Sequence, residues 1–299
     1  MNLKKFTVYI MFFAFINLVS IEKVSAATKQ VTIDGDHGKL SAIIQTPDDR
    51  AEYPLVMILH GFNSSKNMSL LKQIADKLEH LGIASIRFDF NGHGQSEGSF
   101  QNMTISNELN DAKKVYEYVQ NLPEITSVSI IGHSQGGVVS GLMAGEYGAE
   151  KIKSVVLMAP ASVLRELAQK GDLFGTKFDT DNIPEYIELF NGLKVGRAYL
   201  EDAKNLPIYE ISAQYQGPVL IIHSQDDELV PYSNGEEYNQ IYQNSKLKTL
   251  RGFDHSFTQN TAEVAQMVAD YFIKNITQGE KYEKINNFNT DEFGAYNRL

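Results

Sequence analysis

Residues 129–139 run Ser-Ile-Ile-Gly-His-Ser-Gln-Gly-Gly-Val-Val, which sets an apolar β-branched stretch, a Gly-x-Ser-x-Gly turn and a small-residue helix start end to end. A strand that passes into a helix over so few residues leaves no room for side chains two positions either side of the serine. Gly132 and Gly136 stand at those two positions. Ser134 is thereby expected to hold its hydroxyl out at the carboxyl edge of a sheet, unlike a serine in an ordinary glycine-rich turn.

The remainder of the chain repeats that alternation. Strands are expected over Leu40–Gln45, Leu55–His60, Ile83–Asp89, Ser127–Gly132, Ser154–Ala159 and Val219–His223. Helices are expected over Ser69–Leu81, Thr104–Asn121, Gly137–Tyr147, Gly235–Tyr242 and Ala262–Ile276, with Leu70, Leu71, Ile74, Leu78 and Leu81 at helical spacing. Strands apolar on both faces, separated by helices, predict an α/β three-layer sandwich with a mostly parallel sheet. Residues 160–218 break the rhythm: this interval is far longer than a connection of about 4 to 6 residues and is rich in Gly, Asp and Pro. We expect one domain over 27–277 with an inserted cap at about 161–215, and a polar tail over 278–299.

A serine hydroxyl is a weak nucleophile and needs a base, which in turn needs an orienting carboxylate. In a strand-turn-helix site of this kind they follow in the order Ser, Asp, His. Only His223 and His255 lie beyond Ser134. His223 ends the apolar run Val219–Ile222 and is expected to be structural, whereas His255 sits in the loop Arg251–Phe257 and is the candidate base. Among the carboxylates of Gln225-Asp226-Asp227-Glu228-Leu229-Val230-Pro231, Asp227 is the candidate acid, with Asp226 second. Acyl transfer also requires donors for a developing oxyanion. The backbone N–H groups of Gln135 and Phe62 are the candidates, with Gly61 allowing a close approach. His60 is expected to hold its loop by hydrogen bonding, and Asp89 and His93 to fix the loop Phe88–Ser96.

Composition narrows the alternatives. With no cysteine the chain has no disulfide, thiolate nucleophile or cysteine-bound zinc. No histidine spacing for a metal and no glycine-rich phosphate loop occurs, so no cofactor is implied. A formal charge of -10 argues against nucleic acid and anionic membranes. Lys4 and Lys5, the apolar run Phe6–Ile21 and Val24-Ser25-Ala26 resemble a cleavable export signal over 1–26. Its removal takes away three lysines and one glutamate and moves the formal charge from -10 to -12. The expected product is secreted or at the cell surface, without a stable membrane partner, acting on a small-molecule ester. The oligomeric state is left open, a homodimer being one option.

Taken together these motifs resemble the bacterial cinnamoyl or feruloyl esterases of the α/β-hydrolase superfamily. The likeness runs from Lys39 to Ile276 through His60-Gly61-Phe62, the Asp89–Ser96 loop, Gly132–Gly136 and Asp227–Pro231. More specific are Leu157-Met158-Ala159-Pro160-Ala161 leading into the cap and Leu206-Pro207-Ile208-Tyr209-Glu210, with Ser212-Ala213-Gln214, leading out of it. The resemblance implies an α/β-hydrolase fold, ester hydrolysis and a cap that forms one wall of the acyl pocket. It matches Tyr199 to a tyrosine used near the substrate ring. It also sets Leu167 and Phe174 where relatives carry polar partners for a phenol, which implies an apolar pocket suited to plain aryl or short acyl groups. A peptidase or amidase, a lipase-like hydrolase and a non-catalytic binding protein remain open on the same fold.

Overall fold

A computed structural model describes residues 27–48 and 50–276, so the expected export signal over 1–26 and the polar tail over 278–299 lie outside the described residues. The main sheet is built from β1 (Ala27–Asp34), β2 (Lys39–Thr46), β3 (Tyr53–Leu59), β4 (Ala84–Phe88), β5 (Ile125–His133) and β6 (Ile152–Met158), with two further strands after the cap. Helices α1 (Ser69–His80), α2 (Ile105–Gln120) and α3 (Gln135–Lys151) connect them. After β6 come α4 (Val163–Lys170), the two-residue strands β7 (Asp172–Leu173) and β8 (Thr176–Lys177), then β9 (Tyr186–Glu188) and β10 (Lys194–Gly196). Helices α5 (Arg197–Asn205) and α6 (Ile208–Ser212) return the chain to β11 (Val219–Ser224), α7 (Tyr232–Ile241), β12 (Ser245–Leu250) and α8 (Thr261–Ile276).

Eight strands lie in the order β1-β2-β4-β3-β5-β6-β11-β12, with β2 antiparallel to both its neighbours and every pair from β4 to β12 parallel. Strand alternation divides the core in two. Leu55, Met57 and Leu59 of β3 face the layer of α2 and α3, while Val56 and Ile58 face Leu70, Leu71, Ile74 and Leu78 of α1 and Val264, Val268 and Phe272 of α8. The helical spacing of α1 thus buries its apolar stripe on the sheet, as its sequence requires.

Two strands escape the periodicity argument. β1 has a single buried residue, Ile33, and β12 exposes Lys246 and Lys248, so neither carries the apolar run of a central strand. Both close an edge of the sheet, where polar residues and lysines discourage pairing with another chain. Helix α3 begins at Gln135, two residues before the glycine at which we expected it, so the turn at Ser134 is shorter than its glycines imply. The chain runs from β3 outward to β4 and then returns past β3 to β5, which opens a crevice at the carboxyl ends of β3 and β5. Such a switch point is where open α/β sheets bind ligands.

Candidate active site

Ser134 sits in that crevice, between β5 and α3, with φ 57° and ψ -123°. A non-glycine residue held there costs about 1–3 kcal/mol and needs surroundings that fix it. They are present: Ser134 N–H donates to Met158 O at 2.9 Å, and Ser134 O accepts from Gly137 N–H at 2.9 Å and Ala161 N–H at 3.1 Å. The flanking glycines are steric necessities, since a Cβ on Gly132 would lie 2.0 Å from Gly136 O and one on Gly136 would lie 2.3 Å from His60 O.

The structure brings the three distant candidates together. Ser134 Oγ donates to His255 Nε2 at 2.9 Å, and His255 Nδ1 donates to Asp227 Oδ2 at 2.7 Å. Asp227 Oδ1 accepts the N–H groups of Leu229 and Val230, each at 2.9 Å. Burial pushes the Asp227 carboxyl up, but hydrogen bonds from His223 and His255, the charge of His255 and the Val230 N–H together hold it well below the usual carboxylate range. Asp226 instead accepts from Gly252 N–H at 2.6 Å and shapes the neighbouring loop.

Two histidines outside this relay hold it in place. His223 directs Nε2 at Val230 O, 3.1 Å away, and at Asp227 Oδ2, 3.3 Å away, so it is more than the strand-end residue its position predicts. His133, inside the serine turn, donates from Nε2 to the backbone carbonyl of His255 at 2.8 Å. No sequence signal marks either contact: the partner of His133 arrives from 122 residues away, and those of His223, though only 4 and 7 residues on, meet it through the fold of a loop that has no period. Burial pushes both His133 and His60 down to about 3, which keeps their rings neutral. His60 donates from Nδ1 to Gly61 O at 2.8 Å and accepts Phe90 N–H at Nε2, so it ties two loops together. Asp89 accepts from Gln95 N–H at 2.8 Å within its own loop, and from Lys66 N–H at 2.7 Å and the Lys66 ammonium, which tie that loop to the connection between β3 and α1.

The two candidate oxyanion donors flank Ser134. Gln135 opens α3, where helix geometry leaves its N–H without an intrahelical acceptor. Phe62 follows β3, and Gly61 is so close that a Cβ there would lie 2.7 Å from Ser134 Cβ. Beside them a cavity of about 190 Å³ is walled by Phe62, Ala161, Val163, Leu164, Phe174 and Phe190, and reaches Ser134 and His255. A wider, open groove of about 580 Å³ shares His255 and Leu229 with it and carries Asp226, Glu228 and Asp254.

Two expected cap contacts are corrected. Phe174 lines the cavity, but Leu167 is half-buried against the core, one turn further along α4 than the cavity-facing Val163 and Leu164. Tyr199 is wholly buried outside the cavity, and its hydroxyl donates to Gln135 Oε1 at 2.7 Å. The reason is the seating of α5 on the body: Asp202, on the same helix, accepts the N–H of Ser106 at the start of α2 at 2.9 Å.

Comparison with known proteins places this geometry among relatives. The family described as "Serine aminopeptidase, S33" matches residues 51–180, and the one described as "TAP-like protein" matches residues 198–281. The esterase Est1E from Butyrivibrio proteoclasticus, solved with ferulic acid bound, superposes with a TM-score of 0.80 at 31% identity, covering 83% of this chain and 100% of that one. Lysophosphatidylserine lipase ABHD12 of Danio rerio is 24% identical over 239 residues, 74% of this chain and 59% of the relative. Palmitoyl-protein thioesterase ABHD10 of Mus musculus is 21% identical over 61% of this chain and 62% of the relative. The chain thus spans about 60% of the length of these two curated relatives.

Proposed function

The chain belongs to the α/β-hydrolase family, with cinnamoyl-esterase-like members among its relatives, and on that premise we propose that it hydrolyses carboxylic esters through an acyl-enzyme on Ser134. The observation that carries this reading is the hydrogen-bonded line from Ser134 Oγ through His255 to Asp227, at 2.9 and 2.7 Å. His255 takes the hydroxyl proton as Ser134 Oγ bonds to the ester carbonyl carbon. The tetrahedral oxyanion lies on the Phe62 and Gln135 N–H groups. His255 then returns the proton to the departing alkoxide, and the alcohol leaves. Water, deprotonated by the same imidazole, attacks the acyl carbon; the carboxylic acid leaves and the proton returns to Ser134. Asp227, kept ionised, holds the imidazole in the tautomer that offers Nε2 to the serine.

The cavity's lining supports a substrate with an apolar acyl group. Its aromatic and aliphatic walls offer no carboxylate, and its polar side chains are Asn63, Ser134 and His255. An uncompensated phenol hydroxyl is costly to bury there, so cinnamoyl or short aliphatic acyl groups fit better than feruloyl. The same argument disfavours an aminopeptidase, whose substrate carries an ammonium close to the scissile carbonyl on the acyl side. The open groove across His255 lies where the proton is delivered and suits the leaving alcohol.

Purified protein lacking residues 1–26 should hydrolyse p-nitrophenyl butyrate and methyl cinnamate with higher kcat/KM than methyl ferulate, and leave the matching amides untouched. Preference for the ferulate would overturn the apolar-pocket reading, and preference for amides would overturn the esterase reading. Export rests on the sequence alone; the expected N-terminus of protein recovered from the medium is Ala27, found by N-terminal sequencing.

A further inference from the structure

Beneath the serine turn lies a polar chain for which the reaction has no direct use. Tyr199 Oη donates to Gln135 Oε1 at 2.7 Å, and Gln135 Nε2 donates to Glu108 Oε2 at 2.8 Å. All three side chains are buried, with Tyr199 and Gln135 wholly excluded from solvent and Glu108 at 1% exposure. Buried polar groups are costly unless paired, so a chain of this kind persists only where each member holds the next. Its middle member is the residue whose backbone N–H is the proposed oxyanion donor. Its outer member comes from the cap.

Tyr199 also touches the other side of the oxyanion site. Its ring meets the ring of Phe62 edge-on, with centroids 5.8 Å apart. One cap side chain therefore contacts both donor residues, Gln135 by hydrogen bond and Phe62 by ring packing. Burial holds the Tyr199 phenol well above its usual range, so it remains a donor. Burial likewise raises the Glu108 carboxyl well above its usual range, although the Gln135 amide opposes this, which favours a neutral acid that still accepts through its carbonyl oxygen. About one turn further along α5, Asp202 accepts both the N–H and the hydroxyl of Ser106 and fixes the helix there.

We propose that Tyr199 is a positioning residue for the oxyanion site, with Glu108 and Gln135 as its relay, setting the two N–H donors from the cap rather than contacting substrate. This rests on the esterase reading and deepens it. Donor placement matters most when charge develops on the carbonyl oxygen, so the effect falls on the transition state and spares the bound ester.

The test compares wild type with Tyr199→Phe, Tyr199→Leu, Glu108→Ala and Glu108→Gln on p-nitrophenyl butyrate. Two inhibitors accompany it: a trifluoromethyl ketone, which forms the tetrahedral oxyanion, and the corresponding secondary alcohol, which cannot. Tyr199→Phe keeps the ring contact and loses the hydroxyl. Its kcat and kcat/KM should each fall about tenfold with KM unchanged, a fraction of the roughly 100- to 1,000-fold lost when an oxyanion donor is removed outright. The ketone should weaken by the same factor and the alcohol should not. Tyr199→Leu should lose more, and Glu108→Gln, a neutral acceptor, should recover most of what Glu108→Ala loses. The proposal is overturned if Tyr199→Phe keeps wild-type kcat, or if both inhibitors weaken equally, as they would for a change in pocket fit. If Tyr199→Leu does not fold, the Phe variant decides. A wild type that neither turns over the ester nor reacts with a fluorophosphonate would instead sink the esterase reading beneath it.

Discussion

Asp227 accepts three hydrogen bonds, two from backbone N–H groups on Oδ1 and one from His255 on Oδ2, and His223 Nε2 stands 3.3 Å from Oδ2, so its charge is fixed in direction as well as in sign. The residues of this relay were legible because each lies in a local pattern: a glycine-flanked serine, an acid after a strand, a histidine in a late loop. The supporting histidines were not, since His133 and His223 gain their meaning from partners 122 and 4 residues away that only the folded chain aligns. Tyr199 was singled out by resemblance, but spacing along α5 does not say which way its ring points. Burial of His133 has a consequence for stability. Its folded value of about 3 lies below the ordinary 6.5, so between these values the unfolded chain binds a proton that the folded chain does not. The stability it contributes is complete above about pH 6.5 and is lost as pH falls toward 3. Asp111, pushed up to about 6 mainly by burial, acts in the opposite sense between 6 and 3.8, so wild type alone does not isolate the histidine. Denaturant unfolding at pH 7 and pH 5 should show His133→Asn losing about 2 kcal/mol less than wild type over that interval. An equal loss in both proteins would contradict neutral burial of the ring.

At the scale of elements, the site depends on loops that the sheet presents and buried polar pairs tie down. The loop after β4 is held by Asp89, whose carboxylate pairs with Lys66, both side chains only 1% exposed. Removing one partner of a buried ion pair leaves the other unpaired, a change that costs about 3–5 kcal/mol. Asp89→Ala should therefore lower the unfolding free energy by about that amount in urea titration, and a change under about 1 kcal/mol would mean that Lys66 finds another partner. Central strands were read correctly because burial on both faces writes a continuous apolar run. β1 and β12 were missed for the converse reason: an edge strand with one wet face, carrying Lys29 or Lys246 and Lys248, has a composition that a loop shares. The small strands of the cap, β7 to β10, are two or three residues long, too short for any period to register.

For the molecule as a whole, the fold and the candidate nucleophile follow from a few local patterns, whereas the shape of the cavity beside Ser134 does not. Val163, Leu164 and Phe190 of the cap meet Leu229 of the acid loop across a gap that no sequence separation reveals. The result is a site with two sides: an apolar cavity next to Ser134 and an open groove with three carboxylate residues, joined at His255. The cap supplies walls to the first and, through Tyr199, bears on the oxyanion donors between them. All of this turns on the proposal that Ser134 Oγ is the atom that becomes acylated. The direct test is rapid-quench mass spectrometry of the intact protein mixed with p-nitrophenyl butyrate, followed by peptide mapping. The account requires a transient butyryl adduct on the peptide carrying Ser134, absent in a folded Ser134→Ala variant whose turnover falls by several orders of magnitude. Turnover that survives Ser134→Ala, or an adduct mapping elsewhere, would contradict it.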